Sequence, residues 1–460
     1  MEEVRGYPRR EAAFERDWTK GGIFRNLLSL SWPMVITESL WVVGMTIDMI
    51  WVGKLGASSI AAVGVAGIVA WLMMAARWGL SAGTRAMIAR FIGAGDDEGA
   101  NHVVKQAFVI SAGYAIVVAA IGVFLAESVL NLFGLEADVV AEGTAYLRIM
   151  LVGSVAMSFW MMAEGVMQAS GDAVTPMKIM IGTRFVHMVL DPFLIFGWWI
   201  FPPMGVSGAA TTNLVTYSLG MALGLWFLFT GRSRLRLTLS NFRLDLNIIW
   251  RIVKIGIPAS VMGVQRSLGN LALMWFIVPF GTLAVAAHTL AQRMELFLFM
   301  PGMGLGMAGG VLVGQNLGAG QPGRAEKSGW LAVGLVEGFL LICSLAILLW
   351  AESIVGIFSA DPGLVKIASI FLRIAVAGYL VMGLEAILME CPSGAGDTLP
   401  PTLISLGEVW LVRLPLAILL PQVTNLGVYG VRWAIVAGIL VGVVAYIIYF
   451  RLGMWKHKKV

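Results

Sequence analysis

Only two cysteines, Cys343 and Cys391, and four histidines occur in the chain, and none falls in a CxxC or a Cys/His cluster. A disulfide framework and a zinc site are thereby excluded as organising features. Charge is scarce too: Asp, Glu, Lys and Arg make up 13% of 460 residues, against 58% hydrophobic residues and a mean hydropathy of +0.84. A chain so poor in charge cannot clothe a soluble globule and reads as an all-α polytopic membrane protein. Twelve spans of about 20 residues would take roughly half of it, leaving no room for a large soluble domain. The sequence contains no HExxH, no GxSxG and no paired metal-ligand motif. An intramembrane enzyme would therefore lack a nucleophile with its base, and no cofactor is implied. The first 25 residues are polar and of mixed charge, without the basic start, short apolar core and cleavage site of a signal peptide, so the first apolar segment is expected to be retained.

Apolar runs fall near 29–52, 60–88, 103–125, 140–165, 178–200, 206–229, 249–278, 284–312, 329–350, 364–390, 402–421 and 427–450, which predicts twelve transmembrane helices. A pI near 9.2 would suit nucleic acid, but the basic residues lie in tails and loops instead of on one amphipathic face, so no nucleic-acid partner is expected. With the N-terminus in the cytoplasm, Arg5, Arg9, Arg10, Arg16 and Lys20 fall inside, as do Arg232, Arg234, Arg236, Arg243, Lys456, Lys458 and Lys459. Outside lie Glu127, Glu136, Asp138, Glu142, Glu352 and Asp361, with only Lys54 and Lys366 as basic residues. This asymmetry predicts a multi-pass protein of the cytoplasmic membrane with both termini in the cytoplasm. Nothing in the sequence specifies an oligomer, and a monomer is expected.

Sliding the chain against itself by 225 residues exposes an internal repeat. Gly56, Ala61 and Ala62 land on Gly281, Ala286 and Ala287; Gly93-Ala94-Gly95 lands on Gly318-Ala319-Gly320. Leu147-Arg148-Ile149 matches Leu372-Arg373-Ile374, and Gly171-Asp172 matches Gly396-Asp397. Six spans separate equivalent positions, so the copies insert in the same orientation, as parallel repeats. The expected organisation is an N-terminal tail (1–28), an N-lobe (29–229), a basic cytoplasmic linker (230–248), a C-lobe (249–452) and a short tail (453–460). Two such lobes leave a central cleft that alternating access can use, whereas a channel needs no such repeat. Pro33, Pro192, Pro258, Pro301 and Pro415 are the candidate kinks.

The stretch Thr183–Phe193, TRFVHMVLDPF, places three ionisable side chains in a membrane-length segment. Arg184, His187 and Asp191 share one helix face, and Pro192 loosens the helix beside the carboxylate. A charge at the bilayer centre costs roughly 2.5–3.5 kcal/mol, so such residues are read as functional. Counting helix rise places Asp48, near the outer end of the first span, and Asp191, past the middle of the fifth, both in the outer half, where they can belong to one site.

The segment Asp48-Met-Ile-Trp-Val-Gly-Lys-Leu-Gly56 with Ala61-Ala62 resembles the first-helix signature of the multidrug and toxic compound extrusion (MATE) family. IARFIGAGDDEGA (88–100), SGDAVTP (170–176), VLDPFLIF (189–196) and SGAGDT (393–398) resemble later motifs of that family, in order. The resemblance covers about 29–452 and is nearest to the archaeal, DinF-like branch. It implies two six-helix lobes that export organic cations in exchange for protons or sodium. It also implies an N-lobe polar cluster of Asp48, Glu164, His187, Asp191 and Asn213, although depth counting puts Glu164 nearer the cytoplasm. That branch commonly has amides where this chain has Glu164 and His187. An imidazole among carboxylates suits a proton relay, while an alkali cation prefers oxygen ligands, so proton coupling is expected, with Na+ at Asp48 and Asp191 as the alternative. His187 and Asp191, one turn apart, are expected to pair.

In the C-lobe, Arg266, Arg293, Glu295, Glu337, Glu385, Glu390, Glu408 and Arg413 are expected to pair structurally, notably Arg293 or Arg266 with Glu295. Family branches that use a carboxylate in the seventh helix find Gln265 and Arg266 here, which disfavours a C-lobe mechanism. The 26 methionines and 17 tryptophans suit a loosely recognised cation, though most Trp residues belong at the lipid interface. A lipid-linked-sugar flippase would need cationic clamps from both halves for its pyrophosphate.

Overall fold

The structure, a computed structural model, describes residues 16–134, 137–238, 240, 242–359 and 361–460. Arg5, Arg9, Arg10 and Glu136, used in the topology argument, lie outside the described residues. Twelve helices are long and apolar enough to cross a membrane. In the first half they are α1 (Ile23–Val52), α2 (Ala57–Gly93), α3 (Asp97–Asn131), α4 (Ala137–Ser170), α5 (Val174–Phe196) and α6 (Val206–Thr230). In the second they are α7 (Leu246–Ile277), α8 (Thr282–Gly318), α9 (Pro322–Gly356), α10 (Pro362–Gly394), α11 (Leu399–Val423) and α12 (Val428–Leu452).

Several helices outrun their apolar segments because polar caps start them early. Asp96 caps α3, its Oδ1 accepting from the Gly99 N–H at 2.7 Å. Asp245 caps α7, its Oδ1 accepting from the amides of Asn247 and Ile248 at 2.9 and 3.2 Å. Such caps satisfy amides that the first turn leaves orphaned. In consequence α7 begins inside the stretch expected to be linker; α1, which starts at Ile23 without a side-chain cap, also takes the last residues of the expected tail. Of the proposed kink sites, Pro192 lies inside α5, which runs on to Phe196. Near Pro415, α11 instead passes through a π-helical stretch, Gly407–Arg413.

The repeat is visible in the backbone. Gly95 and Gly320 turn out of α2 and α8 at φ +75° and +71°, and Gly171 and Gly396 follow α4 and α10 at +99° and +89°. Only glycine takes this left-handed conformation without strain, so the turns recur as glycine at the same register.

The halves are interlocked at the end of the bundle that carries the 230–248 linker, called here the linker end. Leu27, Leu30 and Met34 of α1 are buried in the core of the second half. Ile252 and Ile255 of α7, the repeat equivalents of Leu27 and Leu30, are buried in the core of the first. At the same end, α2 and α8 meet backbone to backbone: a Cβ on Gly93 would lie 2.0 Å from the Gln315 carbonyl oxygen, and one on Gly318 2.1 Å from that of Arg90. The linker end is therefore shut by close helix packing that glycine permits.

Candidate functional site

Helices α1 and α5 both run away from the linker end and pack side by side, so Asp48 and Asp191, each near its helix's far end, arrive at one level. Ligand atoms of Asp48, His187 and Asp191 lie within 4.8 Å of one another. His187 Nε2 stands 3.1 Å from Asp48 Oδ1, at ion-pair distance but not aligned as a hydrogen bond. From α6, Asn213 Nδ2 donates to Asp48 Oδ2 at 3.0 Å. His187 and Asp191 are fully buried, and both Asp191 carboxylate oxygens lack a hydrogen-bond partner. Buried polar atoms almost always find partners. Their absence here marks a site that an arriving proton or cation would complete.

Two expectations need correction. The ion-pair contact of His187 is with Asp48 across the α1–α5 interface, not with Asp191 along its own helix, because α1 carries the Asp48 carboxylate into the path of the imidazole. Glu164 does not join the cluster. Helix α4 runs toward the linker end, and Glu164 lies six residues from its end at Ser170, about 9 Å by helix rise. Its Oε1 accepts from Gln168 Nε2 at 3.1 Å. Arg184 lies between the two groups and acts electrostatically on both Glu164 and Asp191. Its guanidinium sits over the Trp41 ring, 5.2 Å from the centroid, a cation–π contact that holds a buried charge.

The second half lacks this arrangement. By the 225-residue register Asp48 falls on Leu273 and Asp191 on Leu416, and both belong to an apolar cluster between α7, α8, α11 and α12. Three of its arginines are paired, though not as expected: Arg266 with Glu385, Arg413 with Glu408, and Arg432 with Glu295, while Glu337 accepts from the Leu384 amide at 2.7 Å. Arg293 faces Met49 Sδ. The π-helical stretch explains one pair, since its i to i+5 spacing brings Arg413 onto Glu408. Glu38, Arg85 and Arg432 are not among the residues the motifs single out, although each is an ionisable residue inside an apolar run.

As a metal site, the triad offers two carboxylates and one imidazole nitrogen. A hard alkali cation prefers more ligands, all of them oxygen, and the imidazole nitrogen is not of that kind.

The family described as MatE matches residues 33–193 and 258–419, one match in each half. The probable multidrug resistance protein NorM of Thermotoga maritima is 25% identical over 95% of this chain and 94% of its own length. The multidrug resistance protein NorM of Burkholderia vietnamiensis is 29% identical over 89% and 90%. An FAD transporter of Shewanella oneidensis is 25% identical over 94% and 95%. Among solved structures, a MATE crystal structure in complex with MaL6 superposes with a TM-score of 0.90 at 24% identity, covering 95% of this chain and 97% of that one. A MOP superfamily transporter from Pyrococcus furiosus gives 0.90 at 24% over 96% and 98%.

Proposed function

The chain belongs to the MatE family, and from that premise we propose that it is a secondary antiporter, nearest the archaeal, DinF-like branch, exporting organic cations in exchange for protons by alternating access. The observation that carries the coupling reading is the triad of half-buried Asp48 with buried His187 and Asp191, in which both Asp191 oxygens are unpartnered. Two carboxylates this close cannot both hold full charge cheaply in a low dielectric, so the pair favours a shared proton. A proton arriving from the far end weakens the hold of Asp48 on His187 across the α1–α5 interface. An organic cation reaching the same lobe from the other side competes for the same charge.

The linker end is then cytoplasmic. A cysteine at Ser240 is labelled only from inside, and labelling of intact cells from outside overturns this orientation. Purified protein in liposomes, given a pH gradient or a sodium gradient singly, tests the coupling ion for wild type and His187→Asn. Export driven by the pH gradient alone and lost in the variant is expected; wild type driven by sodium at constant pH and indifferent to the proton gradient overturns the reading.

Sodium is the second reading, favoured by three donors converging within 4.8 Å. A flippase with a pyrophosphate-bearing cargo would need cationic clamps from both halves, and in the second half Arg266, Arg413 and Arg432 are each held by a carboxylate.

A further inference from the structure

The segment that follows the last helix of each half folds back onto that half. After α6, Ser233 Oγ donates to Asp172 Oδ2 at 3.0 Å; after α12, Lys458 Nζ pairs with Asp397 Oδ1 at 2.9 Å, and the two aspartates are repeat equivalents. From there the segments differ. In the linker, Leu235 and Leu237 are buried in the core of the first half, which is their own. In the tail, Val460 packs against that same core, which belongs to the other half.

The tail therefore crosses the seam between the halves. On the second half it is fastened by Lys458 to Asp397, by Lys456 Nζ to Glu326 Oε2 of α9 at 2.7 Å, and by buried Trp455, stacked on Phe450 of α12 with 4.8 Å between ring centroids. A Cβ on Gly396 would lie 2.5 Å from Val460 Cγ2, so glycine there leaves room for the tail to pass. On the first half the tail is held by the Val460 packing and by Arg90 of α2, whose Nη2 donates to the Lys458 carbonyl. Arg90 lies in the last turn of α2, and its own carbonyl faces Gly318 of α8 in the glycine contact that shuts the linker end. One residue thus serves both the tie and the closed contact. Leu27 and Leu30 are buried in the second half's core, whereas Lys458 keeps 47% of its side chain exposed, so the polar ties exchange for water at modest cost when the halves part.

We propose that the tail, residues 453–460, is a latch across the linker end, with Arg90 and Lys458 as positioning residues that set how readily this end opens during exchange. The proposal rests on the alternating-access reading above. The two ties act in series: the Lys458 pair with Asp397 anchors the tail to the half it grows from, and Arg90 carries that anchor across to the other. Losing Arg90 releases the polar tie whatever Lys458 does, because the remaining pair lies wholly within the second half. Losing Lys458 leaves Arg90 holding a less firmly anchored tail, so its effect is smaller.

Spin labels at Glu98→Cys of α3 and Lys327→Cys of α9, exposed positions on opposite halves near the linker end, report its opening as a distance once Cys343 and Cys391 are replaced by alanine. Measured by pulsed electron resonance on the full chain in detergent, Arg90→Met should raise the open population about tenfold, the scale of one charge-assisted contact. Lys458→Met should raise it a few-fold, as suits a half-exposed pair. The double variant should open no further than Arg90→Met alone, since ties in series are not additive. Where Arg90→Met does not purify folded, Arg90→Gln takes its place. If the distance shifts with pH in wild type while Arg90→Met leaves it unchanged, or the two substitutions simply add, the latch fails and alternating access stands. A single short distance in wild type and every variant, in acid and alkaline buffer alike, overturns the alternating-access reading together with the latch.

Discussion

The guanidinium of Arg184 fills the space that a side chain at residue 44 would need: a Cβ built on Gly44 would lie 2.2 Å from Arg184 Nη1. Glycine in α1 thus lets an arginine of α5 lie flat against the neighbouring backbone, between Glu164 and Asp191. In Gly44→Ala the flexible end of Arg184 moves, not the helix, so the fold survives and the guanidinium leaves its place. The thermal melt should change little while export falls about tenfold, the scale of one charge-assisted contact. Export at the wild-type rate would show that Arg184 is not needed there.

Asp48→Asn and Asp191→Asn each remove a titratable group with little change of shape. Each should reduce coupled export in liposomes to background in a protein that still purifies as a folded monodisperse species. Aggregation of both variants would assign these carboxylates to folding; normal export by both would remove them from coupling.

Arg432 is 2% exposed and holds Glu295, with His288 Nδ1 3.3 Å from its Nη1. Arg432→Met leaves Glu295 without its partner and should cost roughly 3–5 kcal/mol. Adding Glu295→Gln should recover most of that loss, because two uncharged groups no longer need each other. Unfolding in mixed micelles of the single and double variants measures the difference.

Outside the membrane, Asp245 joins the linker to α3 and α7. The bond from His102, whose Nε2 is 3.1 Å from Asp245 Oδ2, and the amides of Ile248 and Asn247 hold its carboxyl below the usual carboxylate range. A depressed folded value means that its contribution is fully present above the unfolded value of about 3.9 and disappears as pH falls through the folded one. Asp245→Ala should therefore melt below wild type at neutral pH, and the gap should close on acidification below about pH 4. A gap unchanged at low pH would assign the effect to the cap's shape rather than its charge.

Much of this was legible in the chain itself. The twelve spans, the repeat and the common outer-half depth of Asp48 and Asp191 follow from hydropathy, spacing and helix rise, whereas the place of Asn213 beside Asp48 was implied by the family resemblance alone. Azimuth does not follow so simply. The depth of Glu164 near the linker end was readable from helix rise, since α4 runs opposite to α1, but His187 contacts Asp48 because helix packing, not spacing along α5, decides which neighbour an imidazole meets. The partners of Arg266 and Arg432 depended on contacts between α7 and α10 and between α8 and α12, which no pairwise spacing specifies, and that of Arg413 on a π-helical stretch that an α-helical period does not foresee. The reciprocal seating of Leu27 and Leu30 in one half and of Ile252 and Ile255 in the other was equally hidden, because apolar residues read alike whichever core receives them.

That Leu273 and Leu416 stand where the second half would carry its own carboxylates also has an electrical meaning. A chain with one titratable cluster that takes one proton per turn passes no net charge when a monovalent cation leaves, so the transmembrane voltage does no work on that exchange. Only the pH difference drives it. A divalent cargo carries one uncompensated positive charge outward, against an interior-negative potential that costs about 2.3 kcal/mol per 100 mV. On the proposed exchange of one proton per turn, singly charged cargo would leave without electrical cost and doubly charged cargo against the field.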